Sequence, residues 1–474
     1  MSEERDPTVL SAPLEAAREV DPEPVQPAPE SSRARRFVRR GLGLAVAAGL
    51  VAGAAYVGLR DAGSQGPGTG TSPSLASVSP SDGVGAEQAV HRSTVGGSLL
   101  QRMASSILAG DQNSFSATVD PRATTFAAQA QMIYDNFRAL PLASIVMRYV
   151  SDDPTALPAA RRTELGGSES WLAQVEVSWR LRDFDQQPVR MTVPVTMVTR
   201  QGGTSYIASF SDQVAADARR PFWLLGTVRV QHGERSLVVS LDPNADLTEY
   251  AQWEDDAIGD VSKVLGTKWS RKVVLYVPRT QRQMEYVLGA PAGSYAHIAA
   301  VTTAEAEERF VGVPVRIVVN PAVLDATSKQ GRRIVLTHET THVASSATVS
   351  PVPLWLAEGF ADYVAFRTYP VPTSMVAKDL FREVRAGKVP RALPDANAFA
   401  TSSQRLAAAY ESAWLACRLI STRYGEHELV RFYRAVHNST SATGPEDAFH
   451  DVLGTSQQRF VADWQRYLKR LAND

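Results

Sequence analysis

The chain lacks the cysteines needed for a disulfide. Of its 474 residues only Cys417 is a cysteine. It sits in the mostly apolar run Ala413–Cys417 and reads as a small core residue rather than a reactive thiol. An excess of charge of one sign is also missing, with 49 Lys and Arg against 50 Asp and Glu and a net charge of -1. That balance gives no case for a nucleic-acid partner. Aromatic residues are scarce in residues 1–32, which are rich in Pro, Glu and Ala and predict disorder. With 44% apolar residues overall, the chain has enough for ordinary cores, and its length predicts two or three domains.

Five arginines, Arg33, Arg35, Arg36, Arg39 and Arg40, close an amino-terminal segment 1–40 that reads as disordered and cytoplasmic. Nineteen uncharged residues follow, Gly41 to Leu59. As a helix they would extend about 28 Å, roughly a bilayer's hydrocarbon core. Residues 41–59 therefore predict a single transmembrane anchor in the cell membrane. The basic side is cytoplasmic and everything beyond Arg60 extracytoplasmic. A cleaved signal peptide and a buried helix of a soluble domain are the competing readings. A twin-arginine signal fits the surrounding residues poorly. Gly49 and Gly53 make a GxxxG pair in a span with five glycines, weak evidence for helix pairing. Residues 60–96, dominated by Gly, Ser, Pro and Thr, read as a flexible linker.

Residues 97–214 read as a small α+β accessory domain. Leu99–Leu108 and Thr125–Leu140 have helical apolar spacing. Trp171, Ala173, Val175 and Val177 alternate as one face of a strand. Val189–Thr199 and Thr204–Phe210 are further strands around the turn signal Gly202-Gly203. Helices followed by a long antiparallel sheet resemble the cone-shaped nuclear-transport-factor-2-like fold. The resemblance is one of element order and carries no catalytic constellation.

The pattern changes near Pro221. Leu224–Val230, Ser236–Leu241, Lys272–Val277 and Val315–Val319 read as strands, with a helix at Asp246–Leu265 among them. From Arg332 onward the chain reads as helical. A mixed sheet followed by a helical lobe is again α+β.

The chemistry is concentrated in His338-Glu339-Thr340-Thr341-His342 and, sixteen residues after His342, in Glu358. His338 and His342, at i and i+4, project from one helical face and suit one Zn²⁺. Glu339 stands beside them as a base. A second helix starting near Pro353 brings Glu358 back as a third ligand. Asp362, one turn later, is placed to accept the second ring N–H of a ligand histidine. Gly359 and Ala361 allow close helix approach.

These residues, with Trp355-Leu356-Ala357-Glu358-Gly359-Phe360-Ala361-Asp362-Tyr363 and the strand Val315–Val319, resemble a gluzincin zinc metallopeptidase of the peptidase MA-like group. The resemblance covers residues 222–474. It implies one zinc per chain on His338, His342 and Glu358, Glu339 as general base, Asp362 behind the ligands, and a peptide or protein substrate. The interval from His342 to Glu358 is shorter than in thermolysin-like members, and no Gly-Ala-Met-Glu-Asn motif marks an aminopeptidase. A metzincin is excluded, since Ser345 and Thr348 stand where its glycine and third histidine belong. The family often stabilises the oxyanion with a tyrosine or histidine from the helical lobe. Tyr410 is the first candidate here, followed by His437 and His297. The rival function is a catalytically inactive, membrane-tethered binding protein that keeps the peptidase fold.

Overall fold

The fold was obtained as a computed structural model, which describes residues 80–305, 312–400, 403–441 and 443–474, with side chains from residue 86. Helix α1 (Pro80–Ala109) opens the described chain, and α2 (Thr124–Ala139) follows. Four strands then form one antiparallel sheet in the order β1-β2-β3-β4. They are β1 (Leu142–Asp153), β2 (Glu169–Leu181), β3 (Val189–Thr199) and β4 (Ser205–Ser209). On β2, the alternating Trp171, Ala173, Val175, Val177 and Trp179 all lie in the core. Burying one face of each strand is what fixes its register.

The second sheet has the order β5-β6-β7-β9-β8. Its strands are β5 (Arg229–His232), β6 (Ser236–Ser240), β7 (Val273–Val277), β8 (Ala300–Ala304) and β9 (Val315–Val319). β6, β7 and β9 are parallel, whereas β5 and β8 run antiparallel at the two edges. Parallel neighbours need crossovers. Helix α3 (Leu247–Leu265) makes the first, and α4 (Gln281–Leu288) lies in the second. Beyond β9 come α5 (Lys329–Ala344), α6 (Leu354–Thr368), α7 (Lys378–Arg385), α8 (Leu406–Tyr424), α9 (Glu426–Asn438), α10 (Gly444–Asp451) and α11 (Gln457–Asn473). Helix α5 packs on α3, α6 and β8, and α6 packs in turn on α8. Gly359 permits the α6–α8 approach. A Cβ there would lie 2.3 Å from the Ala413 carbonyl oxygen.

The fold class inferred from sequence needs correction. Its single transmembrane helix is not supported, because among the described residues no helix is long and apolar enough to cross a membrane. Helix α6, rich in apolar residues, has 15 residues, a length of about 22 Å, and it carries Glu358 and Asp362. The 30-residue α1 carries a buried Arg92 and an exposed Arg102. The segment 41–59 lies outside the described residues. What the structure supports is a mixed α+β architecture.

Other differences are local. Residues 80–96, read as linker, belong to α1, and Arg92 anchors them to Asp152 at 2.6 Å and Glu169 at 3.1 Å. Leu224–Val230 is not one strand. A 3₁₀ turn at Phe222–Leu224 precedes β5. The turn buries Trp223 against Phe137 and Trp179, at centroid distances of 4.7 and 6.0 Å. Asn136 secures it by donating to the Trp223 and Gly226 carbonyls and accepting from the Val228 amide. The core is therefore continuous between residues 97–214 and the second sheet.

A buried charge cluster joins the same two parts. Arg316 on β9 donates two hydrogen bonds to Asp185 from the β2–β3 turn, at 2.8 and 2.9 Å. Its Nε lies 2.7 Å from Glu305 at the end of β8, which also accepts from the Tyr276 hydroxyl.

Candidate metal centre

Helix α5 begins where the Ser328 side chain accepts from the Gly331 amide. That cap satisfies one of the amides a helix start leaves open. Ile334, Val335 and Leu336 are buried, which seats the helix on α3 and the sheet. The polar motif is buried too, so each group must find a partner or bear the cost of desolvation. Thr340 donates to Glu254 of α3 at 2.6 Å, and Thr341 bonds back to the Thr337 carbonyl. Burial pushes the Glu254 carboxyl up to about 8, against the Thr340 hydrogen bond that lowers it.

The helix ends at Ser345, and Ser346 takes a left-handed conformation with φ 55°. The chain then turns back through Ser350 to Pro353, where α6 starts. Two contacts from α9 hold this connection. The Tyr433 hydroxyl bonds Ser345, and His437 pairs with Ser350 at 2.8 Å.

His338, His342 and Glu358 converge, and they are the one such group among the described residues. Their near atoms form a triangle. His338 Nε2 and His342 Nε2 are 2.9 Å apart, and Glu358 Oε2 is 3.3 and 3.5 Å from them. A tetrahedral zinc with bonds near 2.05 Å separates its ligand atoms by roughly 3.3 Å. The residues thus fit that ion. Both Glu358 oxygens are buried, yet neither has a hydrogen-bond partner among the described residues. The nearby imidazole nitrogens are close enough but misdirected, so the carboxylate is arranged for a cation rather than for a donor.

Asp362 lies behind His338, with Oδ1 3.0 Å from Nδ1. This contact keeps Nδ1 protonated and turns the Nε2 lone pair toward the triangle. His342 Nδ1 has no such partner among the described residues. Burial lowers the His338 pKa, but its hydrogen bond to Asp362 and the carboxylate of Glu358 close by prevail and hold it up at about 10. Burial raises Asp362 to about 6, against its bond to His338.

Glu339 is buried beside the triangle. Burial raises its pKa, opposed by the two imidazoles and by a hydrogen bond from Thr302. The Thr302 hydroxyl of β8 is 2.6 Å from Glu339 Oε2. Thr302 was not anticipated from the sequence, because β8 itself was not read as a strand.

The three oxyanion candidates lie as follows. Tyr410 is buried in α8, its ring edge-on to Phe399 at 5.1 Å. His437 is engaged with Ser350, and His297 is exposed in a turn before β8. No protein-family model matches the chain, and no curated protein matches it.

Proposed function

We propose that the chain is a zinc-dependent metallopeptidase of the gluzincin type. The observation that carries this reading is the buried triangle of His338, His342 and Glu358, with the carboxylate of Glu339 beside it. Zinc held by these three side chains supplies a Lewis acid for the scissile carbonyl and lowers the pKa of water toward neutrality.

The remaining work falls to the chain's own residues. Asp362 fixes the tautomer and orientation of His338. Glu339 takes a proton from the attacking water and returns it to the leaving amine. Its raised pKa brings it nearer the working pH of a general base. Tyr410, packed on Phe399, enters no step of this scheme.

Strand β8 is an edge, paired with β9 alone among the described strands. Ala299 and Glu305 bond on the β9 side, to Asn320 and Pro314. By alternation, the backbone groups of Ala300, Thr302 and Ala304 point to the outer edge. Arg219 covers the Ala304 carbonyl, and Thr302 at the centre of the stretch is buried.

The test uses the purified full-length protein. It should hold about one zinc per chain and cleave members of a peptide library. Glu339→Gln should keep the zinc and lose turnover by roughly 10²–10⁴-fold. A folded protein without zinc would sink the proposal. Zinc without Glu339-dependent cleavage would favour the inactive binding protein.

A further inference from the structure

We propose that Thr302 is a positioning residue that holds the general base in one orientation from strand β8, an inference that rests on the metallopeptidase reading. Its hydroxyl is 2.6 Å from Glu339 Oε2 and 3.2 Å from the Glu339 carbonyl oxygen. The shorter contact has the length of an O–H bond to an ionised carboxylate, the stronger class of hydrogen bond.

The bond is selective. It engages Oε2 and leaves Oε1 without a partner among the described residues. A carboxylate held by one oxygen loses its freedom to rotate about the last side-chain bond. The other oxygen is then directed toward the reacting water.

The strand also matters. In a β-strand the side chain stands out of the sheet while the backbone groups lie in its plane. Thr302 therefore points its hydroxyl at Glu339 while its own N–H and C=O stay in the plane of the sheet, so the rigid strand gives the base a fixed reference point. Misplacement by about 1 Å in such an arrangement costs up to 10²-fold in rate.

The experiment compares Thr302→Val, Thr302→Ser and Glu339→Gln in the full-length protein, with zinc content, kcat and KM measured for one cleaved peptide. The valine variant keeps the β-branched shape and removes the donor. It should keep its zinc and its KM within about threefold, while kcat falls by about 10–100-fold. Thr302→Ser should restore most of kcat, because it returns the hydroxyl without the methyl. If the valine variant does not fold, Thr302→Ala takes its place in the same comparison.

A kcat within about threefold of the parent for the variant without a hydroxyl would overturn the proposal. So would a serine variant as slow as the valine one, or a loss of rate that follows loss of zinc. A zinc-free parent, or a fully active Glu339→Gln, would instead overturn the metallopeptidase reading, and this proposal with it.

Discussion

Arg316 offers a direct test of how the two sheets are joined. Its side chain is 1% exposed, as is that of Asp185, and Glu305 is 2% exposed. Replacing Arg316 with methionine keeps an unbranched stem of moderate length and removes the only guanidinium that bonds both acids. Two carboxylates are then left in a site built for a cation. Breaking one buried ion pair by removing a partner costs about 3–5 kcal/mol. The alternative is to protonate the acids. At pH 7 that costs about 4 kcal/mol for each group with an ordinary pKa near 4. A loss of about 5 kcal/mol at pH 7 is the expected result. It is read from denaturant midpoints together with the slopes of the transitions.

The pH dependence has a definite sign. Burial already raises Glu305, and Arg316 is the largest influence that holds it down. Without Arg316 the folded state binds more protons than the unfolded one, so stability falls as pH rises. Between pH 7 and pH 5 the variant should recover roughly 1.4 kcal/mol per pH unit for each carboxylate protonated in its folded state. Combining Arg316→Met with Asp185→Asn and Glu305→Gln should cost less than Arg316→Met alone, since no charge is then stranded. A loss under about 1 kcal/mol for Arg316→Met, or an equal loss at pH 5 and pH 7, would refute this reasoning.

The metal centre has two further handles. Asp362→Asn removes the charge that orients His338, and zinc affinity should drop by about 10–100-fold in competition with a chromophoric chelator. Unchanged affinity would show that the contact does not tune the ligand. Gly359→Ala sets helix propensity, which favours alanine by about 1 kcal/mol, against a Cβ 2.3 Å from the Ala413 oxygen and 3.1 Å from Cys417 Sγ. The backbone clash should win by about 1–3 kcal/mol and weaken zinc binding by shifting α6. A higher melting temperature would show that the helices yield without strain.

The motif helix was legible because two histidines four apart, an apolar side and a preceding serine all belong to one local pattern. The return of Glu358 needed only a short connection and a second helix. Other features depend on contacts distant in sequence. Asp185 and Arg316 are 131 residues apart, and neither stands in a motif. Residues 80–96 read as linker because glycine and serine mask the helix. Gly96 is there to admit the Tyr149 ring, which would lie 2.6 Å from an added Cβ. Strand β8 was missed because Ala300-Val301-Thr302-Thr303-Ala304 has no alternation of apolar and polar residues. Its first three residues are all buried, so no exposed face imposes the two-residue period. Thr302 was hidden with it. Leu224–Val230 read as one strand because its apolar residues suit one, but Trp223, in the core beside Phe137, belongs to a turn that takes in Leu224.

The buried acids of this protein separate into three kinds, and the separation bears on the metal centre. Asp120 is paired with Arg200, and Asp185 and Glu305 with Arg316, so each has a fixed cation from the chain. Glu254 and Glu411 have no such partner among the described residues, and burial pushes both up to about 8, where they are largely neutral at pH 7. Glu358 belongs to neither kind. Burial would raise it as well, but His342 and His338 reverse the effect and bring it down to about 2. It is therefore ionised in the interior, next to Glu339 and Asp362, and no lysine or arginine forms an ion pair with any of the three among the described residues. Only the imidazoles are available to balance these acids, and each ionised carboxylate needs a positive charge close by. Two protons on the histidines would balance two of them, but would also block the lone pairs that face Glu358. One divalent cation at the triangle balances the same charge and leaves both imidazoles neutral, as metal ligation requires.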